Sequence, residues 1–223
     1  MNKNLLQSLN QTLIVSCQAP VESPLHDPYV IAAMAKAAVL NGAAAVRIDT
    51  PAHITAVRQQ ISAPIIGLWK QQIPGYDVYI TPQFSHAEAI AKAGADIIAI
   101  DATLRERPNQ EQLTTIITQI HQKLGKLVMA DIDTIEAAIS AANAGADIVA
   151  TTLYGYTNQT KHLSPPGFQL LAEMREKLQV PVICEGGISS PKMVKQALEI
   201  GAFAVVVGTD ITGIDAKLKA YLS

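Results

Sequence analysis

The chain has 223 residues, 49% of them apolar and 4% aromatic, with a formal net charge of -2, which leaves room for one barrel-sized core and not two. Its scattered charges exclude the basic footprint of a nucleic-acid or anionic-membrane binder, and no apolar run approaches the roughly 18 residues of a spanning helix. The first ten residues show no basic stretch followed by an apolar one, so a cytoplasmic protein with a small-molecule partner is expected.

In chain order, short apolar runs predict strands near 13–17, 44–48, 65–69, 96–100, 127–130, 147–151, 182–184 and 204–207. Helical periods follow at 28–40, 52–61, 85–93, 110–124, 134–144, 167–178 and 191–200, then a short one after Thr209 and a last at 214–222. A repeat supports the count. Gly42, Gly94, Gly145 and Gly201 each end an Ala-rich helical stretch and precede a strand, about two βα units apart, with a further strand in every gap. No G-x-G-x-x-G follows the first strand and no linker divides the chain. The expected fold is therefore α/β, a (β/α)8 TIM barrel of the phosphate-binding type forming a single domain over 1–223, in preference to an open doubly wound sheet. Cys17 and Cys184, inside apolar runs, read as reduced core thiols.

Chemistry in such a barrel sits where strands end, and each predicted strand is closed by a polar residue or a glycine turn. Gln18, Arg47, Lys70, Asp101, Asp131, Thr152 and Glu185 close the first seven, and Gly208 and Thr209 the eighth. Charges converging in a desolvated mouth shift one another's pKa values, as working sites require. The loops Glu185-Gly186-Gly187-Ile188 and Val207-Gly208-Thr209 let backbone N–H groups approach an anion, which predicts a phosphate cradle. His26, His53, His86, His121 and His162 fall in helices or loops and read as exposed or capping, so no metal site is expected. Trp69 should point away from Lys70, into the barrel-to-helix layer.

Several stretches together carry a resemblance: Ser16-Cys17-Gln18-Ala19, Val46-Arg47-Ile48, Pro64-Ile65-Ile66-Gly67-Leu68-Trp69-Lys70, Ile80-Thr81-Pro82, Ala130-Asp131-Ile132-Asp133-Thr134, Thr151-Thr152-Leu153-Tyr154-Gly155-Tyr156-Thr157, Cys184-Glu185-Gly186-Gly187-Ile188 and Val207-Gly208-Thr209. The chain resembles the N-acetylmannosamine-6-phosphate 2-epimerases of bacterial sialic-acid catabolism. The resemblance implies exchange of N-acetylmannosamine 6-phosphate with N-acetylglucosamine 6-phosphate by moving the proton on carbon 2, with no metal or organic cofactor. It matches Lys70 and Glu185 to the catalytic pair, and Gln18, Arg47 and Asp131 to residues that hold the sugar; Thr152 joins them by position. Gly186, Gly187, Gly208 and Thr209 match the phosphate site. The pattern departs after the eighth strand, where Ile211-Thr212 is followed by Gly213 instead of arginine, which puts any contact of that arginine in doubt.

Lys70 can act as a base only if Arg47 or burial lowers its pKa, and Glu185, four strands away, would address the sugar from the other side. The two roles are interchangeable at this level. An aldolase using Lys70 as a Schiff-base nucleophile, and a non-enzymatic sugar-phosphate sensor, are the alternatives. The apolar chain end allows a homodimer.

Overall fold

In the computed structural model, which describes residues 2–222, eight parallel strands close in sequence order, β1 to β8, with β8 returning to β1. The strands are β1 (Thr12–Cys17), β2 (Ala45–Asp49), β3 (Ile65–Leu68), β4 (Ile97–Asp101), β5 (Leu127–Asp131), β6 (Ile148–Ala150), β7 (Val182–Cys184) and β8 (Ala204–Val207). The helices are α1 (Asn2–Ser8), α2 (Pro28–Leu40), α3 (Pro51–Arg58), α4 (Phe84–Ala93), α5 (Leu113–Gln119), α6 (Ile135–Asn143), α7 (Phe168–Lys177), α8 (Pro191–Ile200), α9 (Thr209–Thr212) and α10 (Ile214–Leu222). The barrel expected from the repeat is therefore the observed fold.

Alternation along the strands divides the apolar residues into two cores. One set, including Val46, Ile48, Ile98, Ile100, Val128 and Val205, packs outward against the helices. The other, including Ile14, Ala45, Ile66, Leu68, Ala99, Met129, Ala150, Ile183 and Val206, fills the barrel. Because side chains alternate with period two, the inward stripe continues upward from Ile14 to Ser16 and Gln18, from Ala45 to Arg47 and Asp49, from Leu68 to Lys70, from Met129 to Asp131, from Ala150 to Thr152 and from Ile183 to Glu185. The same pleat that fills the barrel with hydrocarbon thus delivers polar groups to its mouth.

Three departures from the sequence reading have local causes. The unforeseen α1 carries Leu5 and Leu6, and the fully buried Leu9 follows in the turn after it; all three belong to the interior core beside Phe203. The long helix expected over 110–124 begins only at Leu113, after a 3-10 turn at Pro108–Gln110, and ends in a π turn at Ile120–Leu124. β2 runs on to Asp49, so Arg47 lies within the strand and does not close it. Cys17 and Cys184 are buried free thiols, each pushed up to about 12 by burial. No helix among the described residues is long and apolar enough to cross a membrane.

Candidate active site

The strand ends open into a cavity of about 880 Å³, lined among others by Gln18, Arg47, Asp49, Lys70, Thr152, Glu185, Gly186, Gly187, Gly208 and Thr209. Nine of the ten residues predicted for the site line it; Asp131 does not.

Arg47 is the hub of the floor. Its Nη1 and Nη2 grip Asp131 at 3.0 and 2.6 Å, a two-pronged pairing that suits a planar guanidinium, and Nη1 also donates to Glu185. Thr152 joins the same group, donating to Asp131 at 2.7 Å with its Oγ1 3.2 Å from Glu185 Oε2. Arg47 is 2% exposed and Asp131 0%. Asp131, matched by resemblance to the sugar-holding residues, stands buried behind Arg47 and pairs with it. Burial opposes the charge on Arg47, but Asp131 and Glu185 outweigh it and raise its pKa. Burial in turn pushes the Glu185 carboxyl up to about 7, against the pull of Arg47 and with the help of Asp131. Nε of Arg47 is buried and has no hydrogen-bond partner among the described residues.

Lys70 stands across the barrel at the end of β3. Its backbone is pinned twice: Lys70 N donates to Asp49 Oδ1 at 3.0 Å, and the 71–83 loop folds back to pair Lys70 with Ile80. Its ammonium donates to Gln18 Oε1 at 2.6 Å, and Gln18 Nε2 donates to Ser16 Oγ at 2.9 Å, so β1 fixes the tip as β2 fixes the root. Asp49 Oδ2 stands 4.0 Å from Nζ. Burial pushes the Lys70 pKa below the ordinary lysine value; Asp49 opposes the shift and Arg47 adds to it. Both sources expected from the sequence contribute, and burial is the larger.

Gly186 and Gly187 follow β7 with φ of 97° and 69°, a left-handed pair that side chains rarely adopt. A Cβ on Gly187 would lie 2.6 Å from Cβ of Pro165, so this turn packs directly on the loop after β6. Gly208 comes close to β1, where its Cβ would meet Ser16 at 3.3 Å. Trp69 packs in the outer layer, edge-on to His86 at 5.4 Å, as its parity requires.

Sequence reasoning missed Asp49, Tyr156, His26 and Lys217, which also line the cavity. Parity with Arg47 was the available signal for Asp49; the other three come from loops or from α10. His162 is exposed as expected, but two other histidines depart from that reading: His53 is 3% exposed and packs edge-on to His26 at 4.5 Å, while His121 pairs with Asp147 at 2.8 Å. Among the described residues no three His, Cys, Asp or Glu side chains gather as a metal site.

A closed barrel whose mouth opposes a lysine of lowered pKa to a carboxyl of raised pKa, over a glycine-rich rim, defines a (β/α)8 enzyme of acid–base chemistry. A family model described as "Putative N-acetylmannosamine-6-phosphate epimerase" matches residues 31–222, and the chain belongs to that family. A relative from Thermosynechococcus vestitus, named "Putative N-acetylmannosamine-6-phosphate 2-epimerase", is 61% identical over 220 residues, covering 99% of this chain and 96% of its own. One of the same name from Synechococcus elongatus is 58% identical, covering 98% and 95%. The solved structure of the N-acetylmannosamine-6-phosphate 2-epimerase from Clostridium perfringens matches with a TM-score of 0.94 at 39% identity, over 98% of this chain and 95% of that one. Thiamine phosphate pyrophosphorylase from Pyrococcus furiosus, 16% identical with a TM-score of 0.62 over 97% of this chain and 94% of that one, shares the fold alone.

Proposed function

We propose that this chain, as a single barrel domain, interconverts N-acetylmannosamine 6-phosphate and N-acetylglucosamine 6-phosphate by removing and returning the proton on carbon 2, without a metal. The observation that carries the reading is the opposition of Lys70 and Glu185 across one cavity, with pKa values moved toward neutrality from opposite sides. In one direction Lys70, uncharged, takes the proton as the carbon–hydrogen bond breaks, the electron pair moves onto the neighbouring carbonyl oxygen, and a proton from Glu185 returns to carbon 2 on the opposite face, directly or relayed through a substrate oxygen, as that pair moves back. The reverse direction exchanges the roles. Gln18 positions the lysine, Arg47 and Thr152 orient Glu185 and the sugar oxygens, and Asp131 positions Arg47. Backbone groups at Gly186, Gly187, Gly208 and Thr209 receive the phosphate. Family membership supports the substrate, and the cavity is of the size such a ligand needs.

The active form carries one proton shared between Lys70 and Glu185, whichever holds it. Below about 7 both are protonated. The expected result is therefore a kcat/KM that rises through about pH 7 as the first proton leaves. It falls again as the second leaves, below the ordinary lysine value of 10.5. Residual activity of Glu185→Gln should lack the rise near neutrality. A wild-type profile flat from about pH 6 to 8 would contradict the assignment.

No residue of α10 is buried, and Ile214, Leu218, Tyr221 and Leu222 are exposed on it. This apolar face supports a homodimer, which sedimentation equilibrium at twice the chain mass checks; a monomer mass at micromolar concentration would count against it.

A further inference from the structure

The rim that follows β8 carries a charge problem. Gly208 and Thr209 offer backbone to an anion there, but the side chains of Asp210 and Asp215 line the same cavity, and like charges repel a phosphate dianion. Ser23 Oγ donates to Asp215 at 2.9 Å, which satisfies one oxygen but leaves the charge. Three Lys or Arg side chains line the cavity among the described residues. Arg47 is committed to Asp131 and Glu185, and Lys70 to Gln18. The third is Lys217 of α10, whose partner Asp210 follows Thr209 directly on that rim, so its ammonium already stands beside the anion-binding turn and has three donors to share between partners.

The local backbone explains why the cation stands there and not at 213. Gly213 joins α9 to α10 with its N–H on Thr209 O at 3.1 Å, and Lys217 N donates back to Gly213 O at 2.9 Å. A Cβ on residue 213 would lie 2.8 Å from Thr209 Cα and 2.9 Å from its Cγ2 and carbonyl oxygen. The joint therefore has no room for the arginine that the familiar pattern puts at this position. Four residues on, one helical turn along, Lys217 returns over the same side.

We infer that Lys217 is the side chain that receives the sugar's phosphate in this chain, its ammonium bridging Asp210 and the phosphate oxygens and making affinity depend on that group. This rests on the epimerase reading for its substrate, and on the cavity alone for its anion. The test compares wild type with Lys217→Met and Lys217→Arg by steady-state kinetics and with inorganic phosphate as competitive inhibitor. Lys217→Met should raise both KM for N-acetylmannosamine 6-phosphate and Ki for inorganic phosphate by about tenfold or more, as loss of a charge-assisted contact does. The kcat should stay within about twofold, and Lys217→Arg should recover most of the loss, because contacts that bind phosphate without touching carbon 2 act on KM. With unphosphorylated N-acetylmannosamine the two proteins should not differ. A KM and Ki for Lys217→Met within about twofold of wild type would overturn the inference, as would an equal loss on the unphosphorylated sugar. If wild type shows no epimerisation at all, calorimetric titration of both proteins with inorganic phosphate still decides it, since the functional reading then fails separately.

Discussion

Lys70→Ala is expected to lower kcat by about a thousandfold or more while leaving the KM for N-acetylmannosamine 6-phosphate within a few-fold of wild type. The split follows from where Lys70 stands. It faces the cavity from β3, away from the glycine rim, and makes no contact with Arg47, Asp131 or Thr152 that would collapse on its removal. Its loss removes an ionisable group of lowered pKa and leaves Gln18 and Asp49 able to take water. Lys70→Arg should not restore turnover, because a guanidinium does not give up its proton near neutral pH. Steady-state kinetics on folded variants checks this, and wild-type-like turnover in Lys70→Ala would remove the lysine from the mechanism.

Arg47→Met should be the most damaging single change to stability. It leaves Asp131, fully buried, with Thr152 as its remaining side-chain partner, and takes from Glu185 the cation that opposes its burial. Removing one partner of a buried pair costs about 3 to 5 kcal/mol, which for a chain of this size lowers the melting temperature by roughly 10 °C. The double variant Arg47→Met, Asp131→Leu should melt above the single one, since it buries no orphaned carboxylate. Thermal melts of the four proteins in that cycle provide the check, and simple additivity would mean that the pair is not coupled. Activity should be lost in both variants, because Glu185 loses the side chain that orients it.

Much of this architecture is legible in the residues. Gly42, Gly94, Gly145 and Gly201 count the βα units because a left-handed stop before a buried strand recurs with the same chemistry; φ is 99°, 110°, 99° and 108° at the four. The polar strand ends are legible for a similar reason: parity forces Lys70, Thr152 and Glu185 onto the stripe that fills the barrel below them. What parity does not reveal is depth. Asp131 and Glu185 follow the same rule on stripes two strands apart, yet one is closed off by Arg47 and the other faces the cavity, a difference set by how three side chains pack. Asp49 was open to the same rule, but the strand was expected to stop one residue short. His26, Tyr156 and Lys217 reach the cavity from loops and from α10, whose course depends on tertiary contacts such as Ser23 on Asp215 and the Gly213 joint. The π turn at Ile120–Leu124 has no residue that announces it.

Proton NMR of N-acetylmannosamine 6-phosphate with EDTA-treated protein in deuterium oxide follows the fate of the carbon-2 proton itself. Metal-free proton exchange should yield N-acetylglucosamine 6-phosphate carrying deuterium at carbon 2, formed at a rate that EDTA does not change. No conversion and no exchange at carbon 2, or activity that returns only when a divalent metal is added, would contradict it.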